Sequence, residues 1–351
     1  MLDAGHLGVQ LFFVLSGFLI TGILLRERDR AEAEGRRGSV IGRFYGRRAL
    51  RIFPIYYLLI ASLFLIDFQR VRELAPWLFS YTTNLYIAGQ GEWIGDIGHF
   101  WTLAVEEQFY LVWPWLVMFL PRRWLGPILV CFIASAPISR AVLVAIDPVG
   151  ATVGLFPRGT FTLAAWDSLG IGALVAVLSA RSPSPVVEDR LRHWFAPLVA
   201  TIVGLIGVDA AVAPTLVWTI FGDLPIAILF AWLVLSADHG FGGVAGRVLS
   251  HRGLVAIGVV SYGIYAFHMF VEVGIQRGLR VIGVSPIPAG PALFAAVAAG
   301  TVVVALASWR FFERPINDLK RLIPYTDRRV TAAAETDSLV IANRDALPRI
   351  K

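Results

Sequence analysis

The sequence has few charged residues and a single cysteine. Asp, Glu, Lys and Arg make up 16% of its 351 residues, against roughly a quarter in an ordinary soluble domain. With Cys131 alone, the chain has neither an internal disulfide nor a cysteine-based zinc or iron–sulfur site. The glycine-rich loops that bind nucleotide phosphates are also missing, so nucleotide hydrolysis and dinucleotide chemistry have no support.

Apolar residues take the place of the missing charge. They make up 57% of the chain, and the mean hydropathy is +0.69. A soluble fold would need a more polar exterior, so the composition excludes a soluble enzyme, a disordered chain and a coiled coil. It predicts an all-α, polytopic transmembrane helix bundle in a lipid bilayer. The excess of 31 Lys and Arg over 25 Asp and Glu then indicates topology, and we expect no nucleic-acid partner.

A helical span needs about 20 apolar residues. Nine stretches are long and apolar enough to qualify or come close: 7–25, 49–66, 100–120, 125–145, 161–180, 194–212, 216–236, 254–275 and 290–312. A tenth stretch, 74–90, carries Ser80, Thr82, Thr83 and Asn84. We interpret it as a re-entrant or interfacial segment, because such polar residues at membrane depth need cover from protein or water.

The loops between these nine spans differ in positive charge. One set of loops, together with the C-terminal tail, carries 23 Lys and Arg, whereas the opposite set carries 5. The positive-inside rule therefore predicts a multi-pass plasma or inner membrane protein with a cytoplasmic C-terminus. Residues 1–314 would form the transmembrane domain, and the polar tail 315–351 a disordered cytoplasmic end. Because an odd number of spans places Met1 outside, we also expect a helix upstream of this sequence.

Three arginines lie close together where a cytoplasmic loop is expected to enter a span. Arg48 and Arg51 are three residues apart, hence on one helical face, and Arg47 stands beside them. Guanidinium groups suit a phosphate, since each offers a fork of donors and a fixed charge. The alternative interpretation is an anchor of the positive-inside type.

Two adjacent carboxylates, Glu106 and Glu107, follow His99 near the start of a span. A charged group inside a bilayer costs on the order of 3 kcal/mol or more, so each needs a reason. Adjacent helical side chains point about 100° apart, so the two carboxylates cannot both share one partner. They could orient a catalytic imidazole or a substrate hydroxyl, or one could form a structural pair with Arg51 or Arg140.

A helical stripe nearer the C-terminus combines Ser261, Tyr265 and His268 at positions i, i+4 and i+7. The stripe could line a cavity with hydrogen-bonding groups, or it could hold helices together. Other polar residues inside spans are Asp167 and Asp223, as candidate substrate-path residues, and Arg310 with Glu313, as a structural pair.

Five motifs in family order resemble those of the membrane acyltransferase-3 family. The run GVQLFFVLSGFLIT, residues 8–21, is similar to its GVDxFFVxSGFLIT, and RRALRIFP, 47–54, resembles its RxxR motif. The run HFWTLAVEEQFYLVWP, residues 99–114, is similar to HxWSLxxEEQFYLxWP. SYGIYAFH, 261–268, and FERP, 312–315, resemble its closing motifs. The likeness extends from residue 5 to about residue 316.

This resemblance implies a stand-alone membrane O-acyltransferase. Members of the family move an acyl group, commonly acetyl, from cytoplasmic acyl-CoA to a hydroxyl of a sugar, exopolysaccharide, lipid-linked glycan or macrolide. The implied chemistry is direct transfer, in which a histidine deprotonates the acceptor hydroxyl before it attacks the thioester. Acyl-CoA and a carbohydrate or other hydroxylated acceptor are the implied partners, with no cofactor and no metal.

The resemblance also assigns candidate site residues. Arg48 and Arg51 correspond to arginines that meet the acyl-CoA phosphates, and Ser16 and Gly17 to a small-residue turn beside the acyl channel. The candidate catalytic residues are Glu106, Glu107 and His99. The candidate substrate-binding residues are Arg47, Arg48, Arg51, Ser16, Gly17, Tyr265 and His268.

Two substitutions and one missing element depart from the family pattern. Gln10 replaces the usual Asp, and Thr102 replaces the usual Ser. The family's base histidine belongs to a helix before the GVxxFF run, and His6 falls at a different, usually apolar position. A protein without that base would be a non-catalytic scaffold, and a transporter of a glycan or acyl unit is the other alternative. A transporter usually shows matched, broken helices in its two halves, and the sequence shows no such pair.

Overall fold

The computed structural model describes residues 4–34, 37–148, 157–181 and 216–324, with isolated positions between 189 and 204. Within these ranges every regular element is a helix and no strand occurs. The all-α prediction is therefore confirmed. The predicted span 194–212 lies outside the continuously described residues.

Fourteen α-helices follow one another along the described chain. They are α1 (Ala4–Glu34), α2 (Arg37–Leu65), α3 (Val71–Phe79), α4 (Thr83–Gln90), α5 (Trp101–Phe119), α6 (Arg122–Ile146), α7 (Trp166–Arg181), α8 (Leu216–Phe221), α9 (Asp223–His239), α10 (Gly243–Leu249), α11 (Arg252–Val259), α12 (Ser261–Val281), α13 (Pro291–Ser308) and α14 (Arg314–Asn317). Short 3₁₀ helices cover Gly95–Phe100, Pro157–Thr160, Thr162–Ala165 and Asp318–Leu322, and Trp309–Glu313 is a π-helical turn.

Six helical stretches in the described part are long and apolar enough to cross a membrane. They are Gly5–Glu32, Arg37–Leu65, Arg122–Ile146, Thr162–Arg181, Val217–His239 and Pro291–Leu322. A seventh results if α11 and α12, which meet at a bend of 73°, count as one broken span. The membrane character is thus confirmed, while nine spans stays a prediction.

The segment we interpret as re-entrant or interfacial folds into the two short helices α3 and α4. They have 9 and 8 residues, too few for either to cross a bilayer alone. Their buried polar side chains are paired inside the protein: the Asn84 amide donates to the Thr160 carbonyl and the Thr162 hydroxyl, at 3.2 and 3.0 Å. Gln108 of α5 donates to the Asn84 side chain at 2.9 Å. These partners provide the cover that such a segment needs.

Two predicted boundaries are wrong. Residues 26–48 are not a loop, because α1 runs to Glu34 and α2 begins at Arg37. The tail is not disordered from residue 315, because helix persists to Leu322. This helical end packs on α2, where the Arg47 guanidinium donates to the carbonyls of Lys320 and Ile323, at 3.1 and 3.0 Å. Residues 325–351 lie outside the described part.

Helices α1 and α7 cross so closely that only glycine fits at the contact. A Cβ on Gly17 would lie 2.1 Å from the Leu169 carbonyl oxygen, and one on Gly172 would lie 2.0 Å from that of Val14. Small residues let backbones approach in this way in membrane bundles. The crossing fixes α1 against the core in which Phe13, Leu24 and Trp113 are buried.

Candidate active site

Helices α1, α2 and α5 bring four polar side chains together inside the bundle. The Glu106 carboxylate accepts hydrogen bonds from the Ser16 hydroxyl, at 2.5 Å, and from the Tyr110 hydroxyl. The Arg48 guanidinium lies 3.5 Å from the same carboxylate oxygen and stacks 3.9 Å from the centre of the Tyr110 ring. Since Glu106 is only 4% exposed, its charge needs this cation, and the four groups form one buried unit, here called the central cluster.

Glu107 points away from the central cluster, as the helical angle between neighbours predicts. Its Oε1 atom is buried and has no hydrogen-bond partner among the described residues. Tyrosines 45, 56, 57, 81 and 262 lie within electrostatic range of this carboxylate. Glu106 and Glu107 therefore have different surroundings and cannot act as an interchangeable pair.

A group of cations lies beside the central cluster, on α2 and the helical end of the chain. Arg47, Arg48 and Arg51 all lie within electrostatic range of Lys320. Arg51 is exposed and also acts on Glu313. A group of cations that outnumbers the carboxylates around it can bind a multiply charged anion. Lys320 carries no motif signal, and only the fold shows its place in the group.

A second cluster, here called the histidine cluster, joins the Gly95–Phe100 turn to α12. The Tyr265 hydroxyl donates to the His99 carbonyl at 2.6 Å and contacts the Thr102 hydroxyl. The rings of His99 and His268 lie 5.1 Å apart. Tyr265 therefore acts as a clamp between helices, whereas the stripe partner Ser261 is exposed.

The hydrogen bonds of the two imidazoles determine which ring nitrogen of each carries the proton. Nδ1–H of His99 donates to the Asp96 carbonyl at 2.8 Å, and Nδ1–H of His268 donates to the Tyr265 carbonyl at 2.7 Å. Nε2 of His99 is buried without a hydrogen-bond partner in the described part. Burial and the neighbouring His268 lower the pKa of His99 to about 3. His99 is thus neutral near pH 7, with an unshared pair on Nε2.

A third polar group, here called the arginine ring, lies near the start of α1. Arg140 bridges two carboxylates, that of Asp167 at 2.7 Å and that of Asp223 at 3.1 Å. His6 lies 2.7 Å from Asp223, and Gln10 lies 3.5 Å from His6. The sequence left Asp167 and Asp223 without partners and did not predict their union on Arg140.

The hydrogen bonds of the arginine ring assign a structural role to His6. One oxygen of the Asp223 carboxylate contacts His6 and the other contacts Arg140, so His6 links α1 to α9 and, through Asp223, to Arg140. His6 and Gln10 lie about one turn apart on α1, whereas Ser16 lies ten residues beyond His6, about 15 Å further along the helix axis. His6 is thus separated from the central cluster along α1 and contacts Asp223 of α9 instead.

Two further details of the sequence interpretation are wrong. Ser16 and Gly17 lie inside the continuous helix α1, not at a turn, and Gly17 serves the crossing with α7. Arg310 and Glu313 do not pair within the described residues: Glu313 accepts from the Ser308 hydroxyl at 2.8 Å, and Arg310 lies over the Phe311 ring. The π-helical turn over Trp309–Glu313 changes the i, i+3 geometry on which that pairing depended.

Comparison with known proteins shows the family to which the chain belongs. A family model described as an acyltransferase domain matches residues 3–310. The peptidoglycan O-acetyltransferase OatA of Listeria monocytogenes is 29% identical over 339 residues, covering 89% of this chain and 51% of the relative. A putative peptidoglycan O-acetyltransferase of Bacillus subtilis, YrhL, is 28% identical over 340 residues, with coverage of 90% and 51%.

The O-acetyltransferase OatA of Staphylococcus aureus is 26% identical over 342 residues, covering 90% of this chain and 53% of the relative. The chain therefore spans about half the length of the curated relatives it matches. No solved structure matches it.

Proposed function

Because the chain belongs to this family of acyltransferase domains, we propose that it transfers an acyl group, acetyl in the first instance, from cytoplasmic acyl-CoA to a hydroxyl of a glycan. The central cluster is the observation that supports the proposal most. A buried guanidinium, carboxylate and two hydroxyls inside an apolar bundle are costly and need a function. Relatives named for O-acetylation of peptidoglycan support a glycan as the acceptor.

The cations of α2 would hold the donor. Arg47, Arg48, Arg51 and Lys320 would offer charge to the phosphates of acyl-CoA, and Arg48 also lies 3.5 Å from Glu106 deeper in the bundle. Glu106 lies five residues into α5, about 7.5 Å of helical rise from its first residue, and His99 lies in the 3₁₀ turn just before this helix. The flexible pantetheine arm would cross this distance towards the histidine cluster.

The transfer itself needs a path for one proton. The acceptor oxygen attacks the thioester carbonyl carbon, the carbon–sulfur bond breaks, and the hydroxyl proton ends on the departing thiolate. His99 is our candidate for relaying that proton, since its Nε2 atom has an unshared pair and no protein partner in the described part. Because the pKa of His99 is about 3, its imidazole would orient the hydroxyl and pass the proton on rather than hold it.

Substitution of Arg48 tests the donor site. Arg48→Ala, in vesicles supplied with acetyl-CoA and a glycan, should raise the KM for acetyl-CoA roughly tenfold or more, since a charge-assisted hydrogen bond contributes about 1.5–3 kcal/mol. Arg48→Lys keeps the charge but loses the forked pair of donors, so its KM for acetyl-CoA should lie between those of the wild-type protein and Arg48→Ala. Arg123→Ala removes an exposed arginine of α6 and is the matched control. Unchanged kinetics in Arg48→Ala would reject the donor site.

Substitution of the two carboxylates separates their roles. Glu106→Gln should lower kcat by roughly tenfold or more, because it leaves Arg48 without its buried counter-charge. Glu107→Gln should change kcat by a different factor, since Glu107 has no cation within salt-bridge distance in the described part. Full activity of both variants would show that neither carboxylate takes part in transfer.

A further inference from the structure

A cavity of about 230 Å³ opens at the end of α12, next to the histidine cluster. Its lining is Asp96, Met269, Glu272, Val273, Gln276, Arg277 and Arg280. The volume lies below the range of about 300–1,000 Å³ typical of drug-sized ligands, and it suits a single sugar ring. Neither the sequence motifs nor the family match assigns a role to this place.

Two walls of the cavity are held in fixed positions. The Asp96 carboxylate accepts a hydrogen bond from the Gln69 amide at 2.6 Å. The Gln276 side chain donates to the Ile287 carbonyl and accepts from its amide, at 2.9 and 3.0 Å. A cavity whose polar walls are braced in this way is preorganised to bind a ligand.

The charged groups of the cavity are open to a ligand. Within the described residues, Glu272, Arg277 and Arg280 form no ion pair, although all three line one small space. Arg277 is placed by the ring of Phe68, 5.4 Å from its guanidinium. Carboxylates accept hydrogen bonds from sugar hydroxyls, whereas the planar fork of arginine matches a carboxylate. A sugar with a carboxylate uses both kinds of group.

The cavity is connected to the histidine cluster through the backbone. Asp96 lines the cavity, and its backbone carbonyl oxygen accepts a hydrogen bond from Nδ1–H of His99. Met269 lines it as the neighbour of His268. A sugar in the cavity would therefore lie one residue from the histidine cluster, in contact with residues that hold or adjoin its two imidazoles. The positive-inside rule places Arg277 and Arg280 on the side opposite the cytoplasm, where a glycan is presented.

We propose that this cavity is the acceptor subsite, and that Arg277 and Arg280 select a saccharide that carries a carboxylate. The proposal rests on the proposed function and adds the class of acceptor. Asp96 and Glu272 accept from the ring hydroxyls, and Met269 with Val273 forms the apolar floor under the sugar ring. The two arginines are specificity-determining residues and stand apart from the reacting atoms.

Equilibrium binding without a donor tests the subsite directly. The probes are methyl β-D-glucuronide and methyl β-D-glucoside, which share a ring and differ by one carboxylate. Wild-type protein in lipid discs should bind the glucuronide roughly tenfold more tightly, a difference of about 1.4 kcal/mol. Arg280→Ala and Arg277→Ala should lose this preference and leave glucoside binding unchanged. Arg72→Ala, an exposed arginine assigned to the same side, is the matched control.

Each outcome bears on the subsite separately from the enzyme activity. Equal affinity of the wild-type protein for both probes would overturn the proposal, and so would variants that keep the preference. Equal weakening of both probes in Arg280→Ala would also overturn it, because that pattern indicates a structural role. Acetyl-CoA consumption is measured in parallel. Its absence with a preserved glucuronide preference would reject the proposed transfer and leave the subsite standing.

Discussion

At the scale of single residues, buried charge organises this protein. Charges inside a bilayer need partners, and the sequence shows which residues carry the charge but not which pairs they form. Two pairing candidates named from the sequence for the acidic pair, Arg51 and Arg140, are both wrong. Arg48 meets Glu106, while Arg140 joins Asp167 to Asp223. The choice follows from helix packing, which a local pattern does not contain.

His99 gives a residue-scale prediction about pH. Its pKa is about 3 in the folded protein and about 6.5 in an unfolded chain. Between these values the unfolded chain binds a proton that the folded protein refuses, so stability falls as pH falls from about 6.5 towards 3. His99→Gln should flatten this part of the curve. Melting temperature in detergent at pH 4 to 7 measures the effect.

The comparison is between slopes, because buried carboxylates also titrate at low pH. A His99→Gln curve parallel to the wild-type curve would mean that His99 does not contribute to the acid sensitivity. His193→Gln, at an exposed histidine, is the control that should leave the slope unchanged.

At the scale of elements, hydrophobic runs predicted helices well and helix ends poorly. Runs of apolar residues identify spans because lipid demands about 20 of them. The same demand does not apply outside the bilayer, where α1 continues to Glu34. Arg28 stabilises that extension by donating to the carbonyls of Val117 and Leu120, at 2.6 and 2.8 Å. Such a contact between distant parts of the chain has no local signal.

The crossing of α1 and α7 gives an element-scale prediction. Gly17→Ala places a methyl group 2.1 Å from the Leu169 carbonyl oxygen, so the two helices must separate. Overpacking of this kind costs about 1–3 kcal/mol, which should lower the melting temperature by several degrees. Gly8→Ala is the matched control in the same helix, because a Cβ there meets nothing within 4 Å. Equal melting temperatures for the two variants would contradict a close crossing.

At the scale of the whole molecule, contacts in the fold group the helix ends into the same two sets as the count of positive charges in the loops. The arginine ring joins the ends of α1, α6, α7 and α9 that are assigned to the outside. At the other end Arg181 donates to the Arg122 carbonyl, and Arg47 donates to the Lys320 carbonyl. Charge and packing thus agree on which ends lie together, and the positive-inside rule predicts which set faces the cytoplasm.

Cysteine labelling checks this orientation in intact cells. In a Cys131→Ser background, Arg123→Cys should react with a membrane-impermeant maleimide only after the membrane is permeabilised. Glu92→Cys should react without permeabilisation, since it lies in the loop before α5 that is assigned to the outside. Both positions are exposed in the structure. The reverse pattern would invert the topology and place the acceptor subsite in the cytoplasm.

The sequence by itself determined the membrane class, most spans, the family motifs and the polar residues worth attention. Composition and periodicity carry that information because every residue meets lipid or protein according to local rules. The tertiary structure alone decided that Arg48 meets Glu106, that Lys320 joins the arginines, and that Arg280 lines one cavity with Asp96. These neighbours are distant in sequence, and only the packing of whole helices sets the distances between their side chains.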